Sequence, residues 1–226
     1  MIFVFVALKF TLKMYMDTYT FIHIPKNAGF AIKSYIHNNN LDIKTDKSTH
    51  ENVKRINNKD HHTELCETNN NPIIIIRDPL ERFKSLYYYW KYGNMSQKKK
   101  KPKDTNITSF IDIFKMSEEQ RVNIYDNHFW DVHLKKQTFW INNVDYKNIT
   151  VIKYNDNIIN SFNKLLDNRF ISGNMSRLYV NITNYGDDDY NLSSDHLQFL
   201  KEYYHDDFVL YETVEKQPEL FKKVIT

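Results

Sequence analysis

Pro72-Ile73-Ile74-Ile75-Ile76 restricts the fold of this chain more than any other stretch. A continuous β-branched run of this kind has no polar face, so it suits a strand buried on both sides. Such strands belong to parallel sheets covered by helices. The residues that follow fit that setting. Asp78 suits a helix N-cap, Pro79 the first helical position and Glu81 the third. The spacing predicts a helix through Arg82 to Trp90 that stops near Gly93.

Similar patterns recur along the chain. Thr18 to Ile24 alternates and is rich in β-branched and aromatic residues, which predicts a strand. Pro25 to Gly29 makes a turn, and apolar Phe30, Ile32, Tyr35 and Ile36 predict a short helix to His37. Asn38 to Asn71 is polar and gives no element. Ser109 to Lys115 is a short apolar element. Ser117 and Gln120 have capping-box spacing ahead of an aromatic-rich helical region through His128, His133 and Trp140. Ile149 to Tyr154 reads as a buried strand and Ile158 to Leu166 as a helix. Ser193 or Ser194 caps a final helix to about Tyr204. Strands alternating with helices predict one α/β domain, a central mainly parallel sheet flanked by helices. Its expected extent is residues 18–226, behind a leader of residues 1–17.

Composition supports a folded domain and little more. A chain of 226 residues with 41% hydrophobic content can bury one core. Apolar Met1 to Leu8 is far shorter than the ~20 residues of a membrane span, and Lys9 and Lys13 interrupt it, so firm membrane association is not expected. A formal net charge of +3 is too weak to imply a nucleic-acid partner. The lone Cys66 excludes an internal disulfide and suits a reducing compartment. No metal-ligand spacing stands out.

Two motifs carry chemistry. In the first, Pro25-Lys26-Asn27-Ala28-Gly29 joins a strand to a helix. Such a loop gathers backbone N–H groups at the positive end of a helix dipole, and Lys26 adds a full charge. Gly29 is expected to let the backbone approach an anion. This is the physics of a phosphate loop, but the Walker pattern is missing, which disfavours a nucleotide kinase. In the second motif, Arg77 ends a buried strand, where open parallel sheets bind ligands. Arg82 and Ser85 share a helix face beyond it. An arginine fork with a hydroxyl near a helix N-terminus suits a phosphate clamp, while an isolated Arg-Asp-Pro suits a mere salt bridge from Arg77.

Phe21-Ile22-His23-Ile24-Pro25-Lys26-Asn27-Ala28-Gly29 resembles the 5′-phosphosulfate loop of the Golgi-type carbohydrate sulfotransferases and their bacterial and viral relatives. Ile75 to Tyr89 resembles their 3′-phosphate motif, about 50 residues later. His133 to Gln137 resembles a His-x-x-x-Gln element, Val180 to Thr183 an Asn-x-Ser/Thr element, and Tyr204 to Phe208 a Tyr-x-x-Asp-Phe ending. The resemblance spans roughly residues 18–212. It implies a P-loop-like sulfotransferase fold and transfer of a sulfuryl group from 3′-phosphoadenosine-5′-phosphosulfate to a hydroxyl, with a carbohydrate favoured and no metal required. It assigns Pro25, Lys26, Asn27, Ala28, Gly29 and Phe30 to the donor's 5′ end, and Arg77 and Ser85 to its 3′-phosphate. The Golgi lumen is implied by analogy, against the cytoplasm that the single cysteine suits. The richness in Asn, Lys, Ile and Tyr suits an AT-rich coding genome, such as that of a large virus or a protist.

One departure matters. The family loop has Thr or Ser at the two positions after its last glycine, and here they are Phe30 and Ala31. A hydrogen bond to a charged group contributes about 1.5–3 kcal/mol. A sulfotransferase-fold protein that binds nucleotide or glycan with little turnover is therefore the alternative. The expected general base is a His between the two motifs, in the order His62, His61, His50, with Glu64 also near. His128 and His133 either line the acceptor cleft or pack. The lysines at 98–101 and 103 form a solvated loop, or else attract a polyanionic acceptor.

Overall fold

The computed structural model describes residues 19–41, 43–45, 71–92, 106–117, 119–121, 133–142, 144–166 and 190–226. The leader therefore lies outside the described residues.

The Ile run is a strand, β3 (Pro72–Ile76), and every residue in it is buried. It forms one five-stranded sheet with β1 (Tyr19–Phe21), β2 (Ile43–Thr45), β4 (Thr150–Lys153) and β5 (Lys223–Ile225). The order is β2-β1-β3-β4-β5 and every neighbouring pair is parallel. Six helices are described: α1 (Gly29–Asn38), α2 (Pro79–Tyr92), α3 (Ile107–Lys115), α4 (Ile158–Leu165), α5 (Ser194–Tyr203) and α6 (His205–Lys216). The predicted α/β architecture with a parallel, helix-flanked sheet is the one observed.

The Ile run shows why alternation was absent from the sequence. Ile73 and Ile75 pack with Phe21, Ile32, Tyr35 and Phe162, on the side of α1 and α4. Ile74 and Ile76 pack with Ile22, Val151, Leu210 and Val214, on the side of α6. Strand side chains alternate between faces, and here both faces are covered, so both sets must be apolar. A third cluster joins α2, α3 and α5 through Phe83, Tyr87, Trp90, Phe110, Phe114 and Leu200.

Local signals acted as expected at several ends. Asp78 Oδ1 accepts from the backbone N–H groups of Leu80 and Glu81 at 2.9 and 3.0 Å. Ser117 and Gln120 form the reciprocal pair of a capping box. Ser193 caps α5. That helix is not the last, however: α6 and β5 follow it. The strand predicted from Thr18 to Ile24 is also shorter, although the Ile22 N–H still donates to the Ile73 carbonyl at 2.9 Å. Among the described residues, no helix is long and apolar enough to cross a membrane.

The sheet order places one crevice. From β1 the chain goes to β2 on one side, then returns to β3 on the other. In open parallel sheets, ligands bind beyond the strand C-termini where the order reverses. Here that point lies between β1 and β3, and the segments leaving those strands carry the two motifs.

Candidate functional site

The loop after β1 adopts an unusual backbone. Lys26 has φ 68° and Ala28 φ 60°, both left-handed. Each such non-glycine residue costs roughly 1–2 kcal/mol, and packing must hold the turn in place. Asn27, at 1% exposure, supplies that hold. Its Nδ2 donates to the Ile75 carbonyl at 2.7 Å and to Gln137 Oε1 at 2.5 Å. The Asn27 side-chain amide is therefore engaged inside the protein and does not replace the hydroxyls missing at Phe30 and Ala31. Ala28 begins α1 without a side-chain cap. The first N–H groups of that helix, with its dipole, are left to face an anion at the loop.

Gly29 is closely packed against a neighbouring side chain. A Cβ at this position meets His23 Cδ2 at 1.7 Å. The His23 ring therefore requires a residue of small size here. Gly29→Ala is expected to lower stability by about 1–3 kcal/mol, the usual range for overpacking. Thermal unfolding checks this, and pairing it with His23→Ala should recover part of the loss, since the two sites are in contact.

The two arginines of the second motif differ in what they touch. Arg77 Nη1 donates to the Lys26 carbonyl at 3.4 Å, and Nη2 lies 3.6 Å from Glu81 Oε2. Its guanidinium sits over the Tyr154 ring at 4.3 Å. The buried Nε has no hydrogen-bond partner in the protein, so donor capacity remains. Arg82 is 1% exposed. Its Nε donates to the Pro25 carbonyl at 3.0 Å, and Nη2 to the carbonyls of His133 and Lys135 at 3.3 and 2.8 Å. The helix-face argument grouped Arg82 with Ser85 in a phosphate clamp. In the structure Arg82 holds three backbone carbonyls around the loop, while its buried Nη1 has no hydrogen-bond partner. Ser85 is half-buried on α2.

Lys26 completes a group of three cations. Burial first, then the nearby Arg77 and Arg82 charges, lower its pKa to about 8. Its Nζ lies 4.1 Å from the centre of the Tyr89 ring. Around Tyr89 on α2 lies the aromatic core cluster. Tyr87, Tyr88 and Trp90 are buried there, but Tyr89 turns toward the loop. The His133 ring stacks on Tyr89 with centroids 5.9 Å apart. His133 thus stands in the site's aromatic wall.

Two further elements of the sequence meet here. Gln137 Oε1 also accepts from the Arg77 backbone N–H at 3.0 Å, and Nε2 donates to the Arg77 carbonyl at 2.8 Å. The Gln137 N–H donates to Asp207 Oδ2 at 2.7 Å. The Thr138 N–H donates to Asp207 Oδ1 at 2.9 Å. Sequence reasoning marked Gln137 and Asp207 by resemblance without assigning either a task. Their partners are 60 to 110 residues away, beyond what local spacing reports.

The structure thus brings Pro25 to Gly29, Arg77 and Arg82 together, with Ser85 on the adjoining helix. Phe30 is 44% exposed at the start of α1. His50, His61, His62, Glu64, His128, the lysines at 98–103 and Val180 to Thr183 lie outside the described residues. Among the described residues, no group of three or more His, Cys, Asp or Glu side chains could hold a metal ion.

A parallel α/β sheet with a cationic loop at its switch point is an arrangement suited to an anionic ligand between β1 and β3. The family model of the Sulfotransferase family matches residues 17–212, and the chain belongs to that family. Membership supports sulfuryl transfer as its general chemistry. Neither a curated protein nor a solved structure matches the chain.

Proposed function

We propose that this protein transfers a sulfuryl group from 3′-phosphoadenosine-5′-phosphosulfate to a hydroxyl of a carbohydrate. One observation carries the reading. Cations from both motifs converge at the switch point, where burial first and then the Arg77 and Arg82 charges lower the Lys26 pKa. Like charges gathered this way are costly unless an anion is meant to join them. The unpartnered Arg77 Nε and the uncapped α1 fit a donor with phosphates at both ends. The carbohydrate acceptor is supported by the loop's resemblance to carbohydrate sulfotransferases.

When bound, the donor supplies an activated sulfuryl group on a phosphate leaving group. The chain's own part is positioning and charge stabilisation, as in phosphoryl transfer. The α1 N–H groups and Lys26 hold the 5′ end, and Lys26 neutralises charge growing on the bridging oxygen. Arg77 and Ser85 hold the 3′-phosphate. His62, or else His61, takes the acceptor's proton.

Calorimetry with adenosine 3′,5′-bisphosphate and with ATP tests donor recognition. Binding of the bisphosphate and not of ATP is expected, and no binding of the bisphosphate overturns the reading. Sulfate transfer to a panel of glycans tests the acceptor. Affinity should also depend on pH in a set direction. Lys26 titrates near 8 in the folded chain, below its ordinary 10.5, so it is charged below 8 and loses charge above. A bound anion pulls that pKa back up. Bisphosphate affinity is therefore expected to be level between about pH 7 and 8, where the phosphates are already dianionic, and to fall by up to roughly tenfold per unit above it. Lys26→Met should remove the fall.

A further inference from the structure

Gln137 stands between the two halves of the site and bonds to both. One oxygen, Oε1, accepts from Asn27 of the loop and from the Arg77 N–H of the clamp, at 2.5 and 3.0 Å. The nitrogen of the same amide donates to the Arg77 carbonyl at 2.8 Å. Both backbone groups of Arg77 are thus taken by one side chain. Arg77 lies just past the last residue of β3 to pair with β4, and Gln137 serves it as a neighbouring strand would. Gln137 has 0% exposure, as has Asp207, which anchors the Gln137 and Thr138 N–H groups from α6. A buried amide with three bonds of 2.5 to 3.0 Å has little freedom to shift.

We infer that Gln137 is a positioning residue that fixes the separation between the loop carrying Lys26 and the strand end carrying Arg77. The inference rests on the donor reading above and deepens it. Its consequence is cooperative recognition of a ligand with two anionic ends. When both half-sites are held at one separation, the second phosphate binds without a further ordering cost. A ligand with both phosphates should then bind more tightly than the two single-phosphate contributions combined.

The test is calorimetry on the full chain with adenosine, adenosine 5′-phosphate, adenosine 3′-phosphate and adenosine 3′,5′-bisphosphate. The unmodified chain should show excess affinity for the bisphosphate. Gln137→Met removes every side-chain bond and should cut that excess by roughly tenfold, within the usual span of coupling between sites. Single-phosphate affinities should move much less. Because Gln137→Met strands three buried polar groups, Asn27→Ala is the second variant: it spares both Arg77 bonds, removes the loop's bonds to Gln137 and to the Ile75 carbonyl, and should also reduce the excess. A merely structural role lowers the folded fraction and leaves the affinity ratio unchanged. An unchanged ratio in a folded variant overturns the inference while the donor reading stands. Failure of the unmodified chain to bind the bisphosphate overturns both.

Discussion

Lys26→Met is expected to lower the rate of sulfuryl transfer by roughly 10²–10³, the cost of removing one charge-stabilising donor from a water-excluded site. It should do so without weakening the fold. Methionine keeps the unbranched stem over Tyr89 and removes only the charge. That charge is held in the folded chain against burial and against Arg77 and Arg82, which is why its pKa falls to about 8. A lysine whose pKa drops on folding opposes folding at every pH below that value. The melting temperature of Lys26→Met should therefore match or exceed that of the unmodified chain while activity collapses. Stability given up at a functional site in this way is recovered when the function is removed. Rate and thermal transition measured on the same preparation check both halves. Full activity in the variant removes Lys26 from the chemistry. A large fall in melting temperature contradicts the electrostatic account.

The sequence showed the frame of the site more fully than its interior. Four isoleucines announced a strand covered on both faces, and Asp78-Pro79 announced the helix after it, because both signals are local. The turn at Pro25 to Gly29 was legible for the same reason. Three-residue strands such as β2 and β5 were not. Ile43 to Thr45 has half-buried, exposed and half-buried residues, too short a pattern to stand out from a polar stretch. Periodicity also reported that Arg82 and Ser85 share a face, but not what covers it. Gly29 was recognised as necessary, though the neighbour that requires it, His23, is visible only in three dimensions.

Arg82 separates the two accounts of the second motif most sharply. If it clamped phosphate, Arg82→Met would weaken ligand binding and spare the fold. The structure predicts the opposite emphasis. The side chain is 1% exposed and donates to the carbonyls of Pro25, His133 and Lys135. Methionine fills similar space but leaves those acceptors without a donor. An unsatisfied buried acceptor costs about 1–3 kcal/mol, partly offset here because a buried charge is also removed. A net loss of about 3 kcal/mol is expected. For a chain of this size that is roughly 6–12 °C in melting temperature. Lysine should not rescue it, since a single ammonium cannot span acceptors that a planar fork reaches from two sides. Ligand affinity per folded molecule should fall less than in Arg77→Met, because each arginine has one buried nitrogen without a partner but Arg82 spends its Nε and Nη2 on three backbone carbonyls. A melting temperature within a degree or two of the unmodified chain, with bisphosphate binding lost, would return Arg82 to the clamp. It would also leave Pro25 and the turn after it without their main support from α2.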